Sequence, residues 1–232
     1  MTWLAAVAGD GLLGVAALWT APRWLVPLIA ARSPRCLYAV RTSEKLVALT
    51  IDDGPDPAQT PAILRVLAEH DARATFFLIS GNARAAEPTV AQIAAAGHEI
   101  GNHLTRDEPS IRLPPEAFVA AMREAGSVLS RFGTIRWLRP GSGFYNRIML
   151  DAIEREGYRC ALGSVYPYDG HTASSWLSTA YILSNARPGA VIVLHDMGKR
   201  GERTAAVLVR VLPALRARGY RVVTLTELVA RT

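Results

Sequence analysis

The amino-acid sequence predicts an α/β fold in which short buried strands alternate with amphipathic helices. From Lys45 onward, apolar runs and helical periodicity alternate about seven times. The strand segments are continuously apolar, which is typical of strands covered on both faces by helices. With 232 residues, 50% of them apolar and 20% charged, the chain is long enough for one sizeable core. Such regular alternation implies parallel strand pairing.

Each strand is expected where an apolar run is bounded by turn residues, and each helix where apolar residues recur at helical spacing. Pro88 and Pro114 begin two of the helices, and Gly97 and Gly133 follow their ends. The predicted strands are 47–52, 74–79, 99–101, 136–139, 158–162, 190–194 and 220–224. The predicted helices are 60–70, 88–96, 114–132, 146–156, 174–185 and 204–218.

A doubly wound sheet and a barrel are both compatible with this element order. No Gly-x-Gly-x-x-Gly motif follows the first strand, so dinucleotide binding is not expected. A barrel gathers its chemistry at the carboxyl ends of its strands. Polar side chains lie at or just beyond the predicted strand ends, and this favours the barrel; they are Asp52, Asp53, His103, Arg139, Asp169 and His195.

The N-terminal segment, residues 1–35, differs in composition from the predicted domain at 45–232. Residues 3–21 carry one charge, Asp10, and are long enough to cross a bilayer, although Asp10 would cost roughly 2.5–3.5 kcal/mol there. The alternative is a helix packed on the domain, or one lying at a membrane interface through Trp24, Leu25, Leu28 and Ile29. Both interpretations stay open, and so does the side of the membrane. Membrane association through residues 3–31 is therefore one expectation.

The charge pattern and the cysteines exclude some functions. The net charge is +6, but no run of basic residues interleaved with aromatic ones occurs, so nucleic-acid binding is not expected. An anionic membrane surface or cell-wall polymer suits this charge equally well. Cys36 and Cys160 have neither redox-motif nor metal-site spacing. We expect two structural thiols, with a disulfide as the alternative.

The first candidate site is the aspartate pair that ends the strand at 47–52. Neighbouring strand residues point to opposite faces, so Asp52 and Asp53 can serve one site only where the chain leaves the pleat. Gly54 and Pro55 supply that exit. The competing interpretation is an ordinary solvated turn.

The second candidate site is a divalent-metal centre. Asp53, His103 and Asp107 are the expected ligands, leaving positions open for water and substrate. Their spacing puts His103 and Asp107 on one face if this segment forms a helical turn. A helix cap or a surface turn is the alternative role for Asp107. His98 is expected to be a half-buried strand residue.

Two further motifs place ionisable groups at strand ends. Arg139 precedes a loop with Gly141 and Ser142, so it can pair with a carboxylate while the loop exposes backbone N–H groups. His195 ends a buried strand and can donate a proton, since its ordinary pKa is close to neutral. A surface arginine and a hydrogen-bonded core histidine are the alternatives.

Together these motifs resemble the polysaccharide deacetylases with a NodB-homology domain, over residues 45–232. The resemblance implies a distorted (β/α)7 barrel that hydrolyses acetyl groups from N-acetylated sugars with a divalent metal, commonly zinc. It implies that Asp52 is the general base, Asp53 and His103 are metal ligands, Arg139 pairs with the base, and His195 is the leaving-group acid. The expected partner is an acetylated glycan, such as a chitin-like oligomer or peptidoglycan.

Three departures from the family pattern set this chain apart. Asp107 stands where the second histidine ligand is usual, Ser142 replaces the tyrosine of Arg-Pro-x-Tyr, and Asp169 alone remains of Asp-x-x-Asp-Trp. Asp169 is the candidate to orient His195. Two carboxylates and one imidazole acidify bound water less and make manganese, iron, cobalt or nickel more competitive with zinc. A silent carbohydrate-binding or membrane-tethered scaffold, or a metal hydrolase of another amide or ester, is the alternative function.

Overall fold

The structure of the protein is a computed structural model that describes residues 17–167 and 174–231. Its described strands are all parallel to their neighbours in one sheet, and the longest of them, β2, is buried along its whole length. The strands are β1 Cys36–Leu37, β2 Leu46–Asp52, β3 Ala74–Leu78, β4 Glu99–Asn102, β5 Trp137–Leu138, β6 Arg159–Ala161, β7 Val191–His195 and β8 Arg221–Val223.

The order of the strands makes the sheet curl into a barrel. The strands follow the path β1-β6-β5-β4-β3-β2-β7, with β8 also pairing with β2. Beyond β6, Val165 bridges Ile192 in β7, and beyond β1, Ala39 bridges Ala190 just before β7, so the two edges of the sheet approach each other. Since β2 lies between β3, β7 and β8, the aspartates at its carboxyl end face the middle of the site. The predicted distorted barrel of the (β/α)7 type is confirmed.

The helices cover the outside of the sheet and bury their apolar faces in three hydrophobic clusters. They are α1 Ala21–Arg32, α2 Thr60–Glu69, α3 Ser80–Ala85, α4 Glu87–Ala95, α5 Pro115–Leu129, α6 Arg147–Arg155, α7 Ser175–Asn185, α8 Gly198–Ala217 and α9 Leu225–Ala230. Short 3₁₀ turns are formed by Ser110–Arg112, Ser130–Phe132 and Gly141–Gly143.

The sequence missed the short elements and one helix start. Three short elements were not expected, namely β1, α3 and α9. The helix α8 begins at Gly198 rather than at the expected Thr204. These pieces are too short to show a clear period, and the first turn of α8 is Gly- and Lys/Arg-rich, without apolar periodicity. The early start of α8 matters, because it brings Arg200 to the site.

The helix α1 packs on the domain through Val26 and Ala30, and hydrogen bonds hold its N-terminal end. The Arg187 side chain donates to the Pro22 carbonyl at 2.6 Å, and the Asn185 amide donates to the Trp19 carbonyl at 2.9 Å. The outer face of the helix leaves Trp24, Leu25, Leu28 and Ile29 between 39% and 52% exposed. Within the described residues, no helix is both long and apolar enough to span a bilayer. Most of the predicted span at 3–21 lies outside the described residues.

The two cysteines are buried free thiols on neighbouring strands. Cys36 in β1 and Cys160 in β6 are register partners, and their Sγ atoms lie 3.0 Å apart. Two structural thiols are therefore confirmed. Their proximity is a consequence of the sheet order, which sequence spacing did not reveal.

Candidate active site

The first aspartate of the pair, Asp52, forms a buried ion pair with Arg139. The Arg139 Nη1 atom lies 2.5 Å from Asp52 Oδ1, and both side chains are at most 5% exposed. Arg139 follows β5, which is not adjacent to β2 in the sheet, so its side chain reaches across the barrel interior. A bonded pair this deeply buried holds the carboxylate in one orientation.

Other contacts fix the guanidinium of Arg139. Its Nε donates to the Ala161 carbonyl at 3.0 Å, and its Nη1 donates to Thr50 Oγ1 at 2.8 Å. Thr50 in turn donates to the Ile192 carbonyl at 2.8 Å, and the guanidinium stacks 4.1 Å from the centroid of the Phe77 ring. Arg139 is thus a rigid part of the barrel core.

The second aspartate, Asp53, turns toward His103. Asp53 has a left-handed backbone with φ +73°, which takes it out of the pleat just before Gly54, as the sequence analysis expected. Its Oδ1 lies 3.4 Å from His103 Nε2, and both side chains are at most 7% exposed. These two candidate ligands therefore converge on one point.

Charge and orientation at this pair suit a cation. Burial by itself would raise the pKa of the Asp53 carboxyl, but His103, His195 and Arg200 hold that pKa below its ordinary value. Burial would lower the pKa of His103, and the two aspartates outweigh it and raise that pKa. His103 Nδ1 lies 2.7 Å from the Arg139 carbonyl. A proton on Nδ1 would be donated there, which turns the Nε2 lone pair toward Asp53.

Asp107 does not join these two residues directly. Its side chain is 68% exposed, whereas His103 is buried, and Leu104 between them has φ +63°. The segment does not form the helical turn that would put His103 and Asp107 on one face, because the left-handed Leu104 interrupts it. Among the described residues, no three His, Cys, Asp or Glu side chains are grouped closely enough to hold a metal ion.

Arg200 lies between the two carboxylates. Its Nη1 is 2.9 Å from Asp53 Oδ2, and its Nη2 is 3.4 Å from Asp107 Oδ2. The sequence analysis did not single out Arg200. The buried Asp53 Oδ2 makes no hydrogen bond within the described structure, so its contact with Arg200 is an ion pair only. This oxygen, Asp53 Oδ1 and His103 Nε2 fit a divalent cation, whereas Asp107 lies at the rim, where Arg200 bridges it to Asp53.

The candidate acid, His195, ends β7 beside Asp52. The two residues are register partners on neighbouring strands, and the His195 carbonyl accepts from Thr204 Oγ1 at 2.7 Å. The next residue, Asp196, is fully buried and accepts from Thr60 Oγ1 at 2.5 Å. Burial raises the pKa of Asp196 to about 7. Asp169, proposed to orient His195, lies outside the described residues.

The loop after Arg139 contains the two oxyanion candidates, Gly141 and Ser142, and their surroundings differ. The Gly141 N–H donates to Ser110 Oγ at 2.7 Å, and a Cβ atom at Gly141 would come within 2.2 Å of the Glu108 carbonyl oxygen. Gly141 is thus committed to packing. Ser142 is exposed, with φ +63°. Its backbone N–H is the better of the two candidates for a substrate contact.

A groove of about 790 Å³ opens beside this cluster. It passes from the 105–108 loop to the start of α8 along α5. Its lining mixes apolar side chains, such as Leu113 and Met197, with charged ones, which are Arg84, Arg106, Asp107, Glu108, Glu124 and Arg200. An open groove with both kinds of side chain can contact the hydroxyl groups and the apolar faces of a sugar chain.

Sequence reasoning missed Thr50, Asp196 and Arg200. Thr50 is part of the Thr-x-Asp-Asp motif, and its position two residues before Asp52 on one strand was a usable signal. Asp196 directly follows His195 and was equally visible. Nothing in the sequence marks Arg200 among its many arginines.

The structure has an aspartate–arginine pair and an aspartate–histidine pair at the carboxyl mouth of a parallel barrel, which is the arrangement that the resemblance to the polysaccharide deacetylases implies. A sequence profile described as polysaccharide deacetylase matches residues 39–161, more than half of the chain. The chain belongs to the polysaccharide deacetylase family. Members of this family generally depend on a divalent metal.

Similar proteins carry deacetylase names. A peptidoglycan-N-acetylglucosamine deacetylase of Bacillus cereus is 32% identical over 194 residues, which covers 82% of this chain and 91% of that protein. A chitooligosaccharide deacetylase of Azorhizobium caulinodans is 33% identical over 196 residues, covering 78% of this chain and 93% of that protein. These relatives agree with the class defined by the fold and the site.

The solved structures repeat the fold. The Bc1960 peptidoglycan N-acetylglucosamine deacetylase has a TM-score of 0.80 and 28% identity, over 86% of this chain and 94% of that one. BA3943 of Bacillus anthracis, described as a CE4 family pseudoenzyme, has a TM-score of 0.79 and 23% identity, over 86% of this chain and 70% of that one. That second likeness is one of fold alone. An enzyme and a pseudoenzyme share this barrel, so the argument for activity must come from the site residues.

Proposed function

We propose that this protein is a metal-dependent deacetylase that releases acetate from N-acetylglucosamine units of a glycan such as peptidoglycan or a chitin-like oligomer. The observation that carries the proposal is the convergence of Asp53 and His103 beside an Asp52 that Arg139 holds in place. The names of the relatives support this substrate class.

In the proposed mechanism, Asp53 and His103 would hold the cation, with Asp107 as the candidate third ligand. A bound divalent ion would supply Lewis-acid polarisation of the acetyl carbonyl. Asp52 accepts a proton from the attacking water, and Arg139 keeps the Asp52 oxygens oriented toward it. The Ser142 N–H donates to the oxyanion, and Gly141 supports the loop rather than the reaction.

The leaving amine needs a proton, and His195 is our candidate donor. Its register pairing with Asp52 puts acid and base on neighbouring strands of one barrel mouth. Asp169 remains our candidate to orient His195. Asp196, directly after His195 and bonded to Thr60, is better suited to hold the end of β7 against the 53–60 loop than to touch substrate.

Zinc is our first choice of metal, and manganese, iron, cobalt or nickel are the alternatives. Asp107 in place of a second imidazole puts one more carboxylate on the ion. Such a set favours hard ions more than two histidines would. The activity assay must therefore compare these metals.

The test is acetate release from N-acetylglucosamine oligomers and from peptidoglycan, after the purified chain is loaded with each metal in turn. Asp53→Asn should lose both bound metal and acetate release, because one ligand charge is removed. Asp52→Asn should keep the metal and lose at least about a hundredfold in kcat, since the base is removed. Circular dichroism checks that both variants fold.

Asp151→Asn is the matched control, since it removes an exposed carboxylate on α6 that pairs with Arg35. It should leave metal content and kcat unchanged. Glycan binding without acetate release under any metal would favour the silent scaffold. Release of acid from other amides or esters, but not from acetylated sugars, would favour a metal hydrolase of another amide or ester.

We also propose that residues 1–35 attach the catalytic domain, 45–232, to a membrane surface. Trp24, Leu25, Leu28 and Ile29 are exposed on one side of α1, which supports an interfacial position. The test is co-sedimentation with vesicles containing anionic lipid. Trp24→Ser combined with Leu28→Ser should weaken binding several-fold, and equal binding of both proteins would refute the role of α1.

A further inference from the structure

The Asp53 oxygen that faces away from His103 already has a cationic partner, Arg200. The guanidinium reaches Asp53 with one nitrogen, at 2.9 Å, and Asp107 with the other, at 3.4 Å. These two carboxylates are the ones that the proposed function assigns to the metal. The guanidinium and a divalent ion therefore need the same oxygens.

The backbone of Arg200 is firmly placed. The Gly198 N–H, at the start of α8, donates to Asp56 Oδ2 at 2.8 Å. A Cβ atom at Gly201 would come within 2.7 Å of Gln59, so the first turn of α8 packs closely on the loop that follows Asp53. The Cα atom of Arg200 therefore stays beside the site, whichever rotamer its side chain adopts.

The side chain of Arg200, in contrast, is free to leave. It is 31% exposed and borders the groove, and the buried Asp53 Oδ2 that it faces makes no hydrogen bond within the described residues. An ion pair that is partly solvated and lacks hydrogen-bond geometry at its buried oxygen is weak. A divalent ion at the same oxygens gains twice the charge, so it can displace the guanidinium.

Charge balance gives Arg200 a reason to be there. Asp107, where the family more often has histidine, adds one negative charge at the rim of the site. Arg200 offsets that charge when it bridges Asp107 and Asp53.

We propose that Arg200 is an internal counter-ion that competes with the divalent metal for Asp53 and Asp107, and so sets the metal concentration at which the site fills. The inference rests on the proposed metal site. It predicts that metal binding moves Arg200 toward the groove, where it can contact the glycan.

The test is metal affinity, measured by competition with a chromophoric chelator for zinc and for manganese. Arg200→Gln should bind both metals about five- to tenfold more tightly than the wild type, because the competing ion pair is gone. Arg200→Lys, which keeps the charge but cannot bridge two carboxylates, should lie between them. Zinc should also raise the Tm of Arg200→Gln by more than it raises the Tm of the wild type.

Arg84→Gln is the matched control, because Arg84 borders the same groove but pairs with Glu124, at 2.7 Å. It should keep wild-type metal affinity. If Arg84→Gln and Arg200→Gln gained metal affinity equally, the cause would be the overall charge of the protein, and the proposal would be overturned. Unchanged or weaker binding by Arg200→Gln would overturn it as well.

Acetate release from the same samples separates this inference from the proposed function. Metal-dependent release with unaltered affinity in Arg200→Gln refutes the counter-ion alone. Tighter binding in that variant without acetate release by any form refutes the deacetylase and leaves the counter-ion standing.

Discussion

Two consecutive aspartates at one strand end have opposite surroundings. Asp52 pairs with Arg139, whose side chain is 3% exposed and lies in the barrel interior, at 2.5 Å. Asp53 pairs with Arg200, whose side chain is 31% exposed and comes from the first turn of α8, at 2.9 Å. The residue types are the same, and only burial and bonding differ.

The ion pair of Asp52 is structural, whereas the ion pair of Asp53 is exchangeable. Arg139 has other fixed partners, Thr50 and the Ala161 carbonyl, so its loss leaves a buried charge unpaired. Arg200 has water on one side and two carboxylates on the other, so its position costs little to change. A proton acceptor needs the first arrangement, and a site that must accept a metal needs the second.

Removing Arg139 should have the largest effect on stability. Arg139→Met should lower the free energy of unfolding by about 3–5 kcal/mol, because Asp52 stays buried without its partner. Arg200→Gln should lower it by less than about 1 kcal/mol. Urea unfolding of both variants, with EDTA present, makes this comparison, and similar losses would mean that the two pairs are equivalent.

A third buried group, the imidazole of His98, has no counter-ion among the groups that shift its pKa, and it should make the stability depend on pH. Burial and the nearby Arg73 lower the pKa of His98 to about 4, below its ordinary 6.5. The unfolded chain therefore takes up this proton first as the pH falls. As the pH falls from 6.5 to 4, this difference in proton uptake should lower the free energy of unfolding by ~3 kcal/mol. Above pH 6.5 His98 is neutral in both states, and the full stability is present.

The measurement for His98 is unfolding at pH 7.5 and pH 4.5 in wild type and in His98→Gln, whose amide oxygen can still accept from the Ala74 N–H. Asp196 acts in the opposite sense: its pKa is raised to about 7, so its contribution falls as the pH rises from 3.8 toward 7. The difference between the two proteins isolates His98. Parallel pH profiles would contradict the prediction.

A hydroxyl beside Arg139 should have a smaller effect. Thr50→Val removes the 2.8 Å bond to Arg139 and the 2.8 Å bond to the Ile192 carbonyl. We expect a loss of about 1–2 kcal/mol in unfolding free energy. Because Asp52 loses part of its alignment, kcat should fall about tenfold at unchanged KM. Thr50→Ser keeps the hydroxyl and should restore both values, and a failure of that rescue would assign the loss to packing.

The exposed carboxylate, Asp107, should affect stability least. Its side chain is 68% exposed, so Asp107→His should change the unfolding free energy by no more than about 0.5 kcal/mol. The same variant should shift relative metal affinity toward zinc over manganese by roughly tenfold, since imidazole replaces a carboxylate. An unchanged affinity ratio would mean that Asp107 is not a ligand.

The periodicity of the chain predicted the main elements well, because it is a local property. The helix at 60–70 and the strand at 74–79 appear as Thr60–Glu69 and Ala74–Leu78. Arg139 also lies 2.5 Å from Asp52, the contact that the resemblance implied. Each of these could be argued from a motif or from a run of neighbouring residues.

The outcome at Asp107 shows where such reasoning stops. Spacing of four residues suggested a helical turn, but Leu104 takes a left-handed conformation and turns Asp107 outward. That choice depends on packing, since Leu104 is 2% exposed and belongs to a hydrophobic cluster with residues far away in the chain. A local rule cannot weigh a contact with a distant residue.

Three features follow from the order of the residues alone: the alternation of strands and helices, the aspartates at the end of β2 and the family to which the chain is similar. Three contacts depend on the folded barrel: Cys36 meets Cys160, the Gly141 N–H donates to Ser110, and Arg200 reaches Asp53. The reason is physical. Secondary structure follows from the pattern of adjacent residues, whereas the partner of a buried charge is chosen by whichever distant element the folded barrel brings within reach.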